Sequence, residues 1–123
     1  MIEESKMWLK QAEADLKTAR NSLKSKDYYA SAFWCQQSTE KCLKAVIIKK
    51  DRILVKIHDL VILGRKAGIP EDLLLKCEKL SKVYIESRYG MLDSEIPAKK
   101  FTMKNVSDFL KISKEVLKWA KKI

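Results

Sequence analysis

The chain has 123 residues and a formal net charge of +10, from 26 Lys and Arg against 16 Asp and Glu. This is the length of one domain, and 46% hydrophobic with 34% charged residues supplies both a core and a solvated surface. The composition excludes collagenous, low-complexity and disordered chains. With one His and three Cys there is little material for a metal cluster, so we expect neither a metal nor a cofactor.

The three cysteines, Cys35, Cys42 and Cys77, form no C-x-x-C pair, and their odd number argues against a disulfide framework. They are expected to be small buried hydrophobes in a reducing compartment. The N-terminus has no apolar signal core. The least charged stretch, residues 28–39, is well short of the roughly 20 residues that a membrane-spanning helix needs. We therefore expect a soluble, cytoplasmic protein with no membrane partner.

Positive charge is densest between residues 41 and 56. A basic patch of this kind attracts the phosphates of nucleotides or RNA, or an acidic partner. Charge alone does not choose among these, and solvated helix faces explain it equally well. The cations of this stretch are Lys41, Lys44, Lys49, Lys50, Arg52 and Lys56.

Apolar residues recur at helical spacing from Glu3 to about Ser25, which predicts a first amphipathic helix. A second helix is predicted from Tyr28 to about Lys50, with Asp27 as its N-cap. It carries two apolar stripes, which predicts burial on two sides and a central position. The first stripe contains Ala32, Cys35, Thr39, Cys42 and Val46, and the second Tyr29, Phe33, Leu43 and Ile47.

A third, shorter helix is predicted from about Ile57 to Lys66, closed by Gly64 or Gly68. Pro70 suits the first turn of a fourth helix. The stripe of that helix runs through Leu74, Cys77, Ser81, Tyr84 and Arg88.

Gly90 ends the fourth helix, the segment from Met91 to Phe101 is predicted as a loop, and Thr102 caps a last helix. No repeat, linker or low-complexity run divides the chain. The sequence therefore predicts a single domain over residues 1–123, an all-α up-and-down bundle of four long helices and one short helix.

The sequence contains no glycine-rich phosphate loop, serine-nucleophile elbow or H-E-x-x-H pair. Chemistry would have to come from polar residues at positions where a bundle prefers apolar ones. Arg88 continues an apolar stripe, and its planar fork suits a phosphate or a carboxylate. The alternative is a structural pair with a buried Glu, for which Glu40 is the natural counter-ion.

Gln37, Glu40 and Lys44 follow one another at steps of three and four, so they form a polar stripe on the second helix. His58 stands alone in the sequence Lys-Ile-His-Asp-Leu. A single His at a helix start serves either a structural hydrogen bond or acid–base chemistry, and the residues alone leave both open.

These residues form a pattern that resembles the HEPN family (higher eukaryotes and prokaryotes nucleotide-binding). The most specific piece is the run Gln36-Gln37-Ser38-Thr39-Glu40-Lys41, followed by Leu43-Lys44-Ala45. Around it, and in the same order over nearly the whole chain, are Trp8, Ala14-Asp15-Leu16, Tyr29, Ala32-Phe33, His58-Asp59-Leu60, Tyr84 and Ser87-Arg88-Tyr89.

The resemblance implies an all-α bundle, often dimeric, of which small members associate with a minimal nucleotidyltransferase. Other members are metal-independent ribonucleases or toxins, with an Arg followed a few positions later by a His. Here no His follows Arg88, and His58 is the only His of the chain. Members that do not resemble nucleases have the sequence Arg-Tyr-Pro at this point, and here Gly90 stands in place of the Pro.

Three hypotheses follow. The first is a nucleotidyltransferase partner subunit that binds nucleotide or phosphate through Arg88, Tyr89, Gln37, Lys44 and His58. The second is a toxin-type ribonuclease of a toxin–antitoxin pair, using Arg88 with His58 or Tyr89. The third is a structural dimeric scaffold. Expected partners are a second copy of the chain, a nucleotidyltransferase, and nucleotide or RNA.

Overall fold

The computed structural model describes residues 3–89 and 95–123, except for the side chains of Arg88 and Tyr89. Every regular element in these ranges is an α-helix, which confirms the all-α class. No helix in the described ranges is long and apolar enough to cross a membrane. In chain order the helices are α1 (Glu3–Lys24), α2 (Tyr28–Asp51), α3 (Leu60–Ala67), α4 (Glu71–Ser81), α5 (Val83–Tyr89), α6 (Pro97–Lys100) and α7 (Met103–Lys122).

Helix α2 is the centre of the bundle, as its two apolar stripes predict. It packs most extensively against α1 and α7, and it also contacts α3, α4, α5 and α6. Leu43 and Ile47 on one stripe and Cys35, Cys42 and Val46 on the other are all buried. Burial on two sides makes α2 the element on which the rest of the fold is arranged.

Three serines join α1 to α2 across a closely packed contact. Each donates its hydroxyl to a main-chain carbonyl of the opposite helix at 2.7–2.8 Å, so a small polar side chain is buried without an unsatisfied group. The pairs are Ser5 with Ala45, Ser31 with Ala19, and Ser38 with Ala12.

The three cysteines are buried and free, as predicted. Burial in the apolar core raises the pKa of the Cys35 thiol to about 12, against the partial effect of the Ser113 hydroxyl. Burial likewise raises the pKa of Cys77 to about 12 and shifts that of Cys42 further upward. All three are therefore protonated at neutral pH.

Two predicted helix caps have different outcomes. Thr102 forms a complete capping box with Asn105, in which each side chain accepts from the other's main-chain N–H. Asp27 occupies the N-cap position of α2, but its side chain makes no capping hydrogen bond, so the predicted role for its carboxylate is wrong. Instead, the Asp27 carbonyl begins the helical ladder by accepting from Ser31.

Helix α3 begins at Leu60, later than the predicted Ile57, because Asp59 is its N-cap and accepts from the main-chain N–H groups of Val61 and Ile62. Its end is at Gly68, which adopts a left-handed conformation with φ 77°.

The predicted fourth helix is divided. A turn at Lys82 separates α4 from α5, so one long helix was the wrong expectation. The predicted loop between Met91 and Phe101 also contains the short helix α6, whose first residue is Pro97. Residues 90–94, with the predicted break at Gly90, lie outside the described residues.

Candidate functional site

The site is built around a buried carboxylate in the middle of α2. Glu40 is only 4% exposed, and Lys44, one turn later, is 6% exposed. The Lys44 ammonium lies 2.9 Å from Glu40 Oε2. Two charges removed from water must be paired, and the spacing of four residues on one helix lets each supply the other's partner.

His58 extends this ion pair toward the surface. Its Nδ1 lies 3.1 Å from Glu40 Oε1 and 3.2 Å from Oε2, while half of its side chain is exposed. A carboxylate on Nδ1 fixes the orientation of the imidazole and directs the opposite nitrogen, Nε2, away from the buried pair.

Gln36 positions both members of this carboxylate–imidazole pair. Its side chain is fully buried, and its amide donates to Glu40 Oε1 at 3.1 Å and to the main-chain carbonyl of His58 at 3.3 Å. Gln37 in turn donates to the Gln36 side-chain oxygen at 2.8 Å. The sequence prediction selected Gln37 and missed Gln36. The step of four from Gln36 to Glu40 and again to Lys44 was the available signal.

Tyr84 on α5 forms the other wall. Its ring stacks on the His58 ring with centroids 4.3 Å apart and planes inclined by 10°. The two rings line a cavity of about 280 Å³ together with Asp59, Ser81 and Ile85. Tyr84 was predicted as part of the stripe of the fourth helix and of the family pattern, but not as a site residue, because nothing in its spacing shows which residue it faces across the bundle.

Arg88 and Tyr89 belong to α5, and their side chains lie outside the described residues. The helix places the Arg88 Cα one turn beyond Tyr84, about 6 Å along the axis. His58 therefore packs against the same short helix that carries Arg88, although thirty residues separate the two in sequence. The predicted Arg88–Glu40 pair also falls outside the described side chains, and Glu40 has Lys44, His58 and Gln36 as partners.

Part of the basic stretch of α2 faces inward. The Lys41 ammonium pairs with the buried carboxylate of Asp15 on α1 and lies 5.9 Å from the Trp34 ring centroid. Lys44 pairs with Glu40. Two of the cations that suggested a phosphate-attracting patch are thus engaged in internal ion pairs.

This arrangement supplies the chemistry of anion recognition at its exposed edge. The half-exposed imidazole donates to the Glu40 carboxylate through Nδ1, so its Nε2 faces outward and donates to an anion in the imidazolium form. A neighbouring helix turn carries an arginine. Within residues 3–89 and 95–123, no group of three or more His, Cys, Asp and Glu side chains is placed to hold a metal ion.

Comparison with solved structures identifies this class of helical bundle. The fold is similar to the crystal structure of TT1696 from Thermus thermophilus, with a TM-score of 0.91 and 25% identity over 98% of both chains. It is also similar to ST0689, an archaeal HEPN homologue, with a TM-score of 0.81 and 28% identity over 95% of this chain and 94% of that one.

The family model of the HEPN domain matches residues 5–123. The chain belongs to the HEPN domain family, as its sequence motifs predict. A search of curated proteins gave no significant match.

Proposed function

We propose that this HEPN protein is a nucleotide- or phosphate-binding subunit that works with a minimal nucleotidyltransferase. The ligand site lies at the exposed edge of the Glu40–His58–Tyr84 cluster, and Arg88 and Tyr89 on α5 complete it. The observation that carries the proposal is the half-exposed His58 ring, held by a buried carboxylate beside the helix that bears Arg88.

The residues of the proposed site have two kinds of role. His58 and Arg88 contact the ligand, because the Nε2–H of an imidazolium and a guanidinium fork both donate to phosphate oxygens. Tyr89 lies next to Arg88. Lys44 is buried against Glu40, so it holds the carboxylate and does not reach a ligand. Gln37 acts one step further back, through Gln36.

Calorimetric titration with ATP tests the site. We expect binding that weakens with added salt, and Arg88→Ala should weaken it by about 1.5–3 kcal/mol, the contribution of a hydrogen bond to a charged group. Arg65→Ala is the matched control, since it removes the same charge from an exposed position on α3. Equal affinities of the wild type and Arg88→Ala would remove Arg88 from the site.

The partner is tested by co-expression with a minimal nucleotidyltransferase from the same genome. A complex that survives size-exclusion chromatography supports the proposal. If light scattering shows instead a homodimer that does not exchange with the nucleotidyltransferase, the partner assignment is wrong. A monomer at tens of micromolar would exclude the expected homodimer, because that range still detects a weak interface.

A metal-independent ribonuclease is the second candidate, and one observation favours it. His58 stacks on Tyr84, one turn before Arg88, so an imidazole and an arginine share one region despite their separation in sequence. A carboxylate on one ring nitrogen is also how many general-base histidines are oriented.

We nevertheless expect slow cleavage by the chain alone, because no His follows Arg88 in the position that the nuclease members use. Loss of a positioned acid or base reduces the rate by about 10²–10⁴. The assay uses labelled single-stranded and structured RNA without added metal. Rapid cleavage that disappears in both His58→Ala and Arg88→Ala would make the ribonuclease the leading function.

A further inference from the structure

A second, separate surface gathers positive charge in the groove between α1 and α7. Two adjoining cavities of about 420 and 290 Å³ lie along this contact and share Leu16, Arg20, Leu117 and Lys121. Glu13 lines the groove near Lys121 and Arg20 lines it near Lys114, so the two helices run in opposite directions along it. The floor is apolar and both rims carry long charged side chains.

The charges of the groove are almost all of one sign. Its lining includes five cations and a single carboxylate, Glu13, which lies 3.2 Å from the Lys121 ammonium. The steps along α7 are four and three residues, which place its cations on one face over about 10 Å. The five cations are Lys17 and Arg20 on α1, and Lys114, Lys118 and Lys121 on α7.

This concentration of charge was not evident in the sequence, where the densest basic stretch lies at residues 41–56. Folding turns Lys41 and Lys44 of that stretch toward Asp15 and Glu40. It brings together the lysines of two helices from opposite ends of the chain.

The lining also indicates how a partner is contacted. None of the described residues that line the groove is aromatic, so there is no ring on which an unpaired base could stack. Lysine and arginine side chains donate to phosphate oxygens, and contacts with phosphates position a protein on nucleic acid without specifying its sequence. Compared with a single strand, a duplex has a higher density of phosphate charge, and its paired bases need no aromatic ring to stack on.

We infer that the α1–α7 groove binds the phosphate backbone of a nucleic-acid duplex without regard to sequence. This inference does not rest on the proposed nucleotide site, which is formed by α2, α5 and the segment before α3. The five cations of the groove would then lie along the repeating row of phosphates of the duplex.

Fluorescence anisotropy with a labelled 20-base-pair RNA duplex tests the inference in the full chain. We expect a Kd of about 10⁻⁴–10⁻⁶ M near physiological salt, the range of sequence-independent binding, and tighter binding at lower salt. A single strand of the same length should bind more weakly. Failure to bind the duplex at low salt would overturn the inference.

The decisive variant is Lys114→Gln/Lys118→Gln, which removes two cations from the α7 rim. The dissociation constant should rise about 2- to 30-fold, as expected for two exposed charge contacts. The slope of log K against log salt should become shallower by about 2. The matched control is Lys66→Gln/Lys79→Gln, which lowers the net charge equally at exposed positions on α3 and α4.

Three further results would contradict the inference. Equal weakening by the control pair would mean that net charge alone attracts the duplex. Equal binding by the wild type and the α7 variant would remove the groove from the interface. Competition by polyglutamate as strong as that by unlabelled duplex, at equal charge concentration, would identify an acidic protein as the better partner.

Unchanged ATP affinity in the α7 variant would show that the groove is independent of the Arg88 site.

Discussion

Helix α2 carries polar side chains into the bundle in two regions, and the buried polar groups of each region are paired in a different way. Toward α7, the Thr39 and Ser113 hydroxyls lie 3.0 Å apart, and both donate to the carbonyl of Cys35. Toward the segment before α3, Glu40 is bound by Lys44 and His58. We call these the hydroxyl region and the ionic region.

The difference lies in where each network ends. Every member of the hydroxyl region is buried, and its hydrogen bonds close on the main chain within the bundle. The ionic region starts from an equally buried carboxylate but ends on a half-exposed imidazole. A closed network stabilises the fold, whereas a network with an exposed end is available to a ligand. The predictions below test that distinction.

The largest expected effect is on the reactivity of the buried thiol groups, which reports whether water reaches the core. Since burial raises the pKa of Cys35 and Cys77 to about 12, their thiolate fraction at pH 8 is lower by about 10³ than that of ordinary thiols. Reaction with a thiol reagent should be correspondingly slow in native protein and fast in urea. Fast reaction of the native chain would show that water reaches the core.

The same shifts give a pH dependence of stability. The folded state retains these thiol protons above the pH at which the unfolded chain loses them, so the contribution is fully present below about pH 9 and is lost as the pH rises toward 12. Urea denaturation across this range should show falling stability. A Cys35→Ala/Cys77→Ala variant should show a shallower fall, and an unchanged slope would contradict the assignment.

In the ionic region, Glu40→Ala should lower the free energy of unfolding by about 3–5 kcal/mol, because it leaves the Lys44 ammonium buried without its carboxylate. The control is Glu40→Met/Lys44→Met, which removes both charges and should recover most of the loss. Urea denaturation measures both variants. A double variant as unstable as Glu40→Ala would show that the penalty does not come from an unpaired charge.

In the hydroxyl region, Ser113→Ala should cost about 1–2 kcal/mol, since one buried neutral hydrogen-bond network is only partly lost. Thr39 still donates to Cys35 in this variant. Ligand affinity should not change, because this region has no exposed end. Weaker ATP binding by Ser113→Ala would erase the contrast between the two regions.

The smallest stability effect is expected at the exposed end of the ionic region. His58→Asn should change the free energy of unfolding by less than about 1 kcal/mol, as for a partly solvated pair. ATP binding should nevertheless weaken. If His58→Asn unfolds as easily as Glu40→Ala, the imidazole is a structural element of the core.

Much of the bundle could be predicted because helical spacing reports burial directly. The stripes of α2 and the capping box at Thr102 depend on residues close in sequence. The turn at Lys82 was not predictable in this way, because the apolar spacing continues through it. The stack of His58 on Tyr84 depends on how two distant segments meet, and no local pattern encodes that.

The site was only partly predictable for the same reason. The sequence predicted roles for Glu40, Lys44 and His58 because each is a polar residue at a position where a bundle prefers an apolar one. That pattern depends only on residues close in sequence. The Glu40–Lys44 pair follows from their spacing of four residues on α2. The contact of Glu40 with His58 follows instead from the path of the chain before α3, where Gln36 binds the carbonyl of His58. Geometry between distant segments decided which polar residues form one network.

The most direct test uses the fact that His58 is the only histidine of the chain. Its ring signals in a carbon–proton correlation NMR spectrum are therefore assigned without ambiguity. Titration with ATP should shift these signals along a saturable curve in the wild type, and Arg88→Ala should require higher ATP concentrations for the same shift. Ring signals that stay in place while calorimetry still reports ATP binding would show that the nucleotide binds elsewhere.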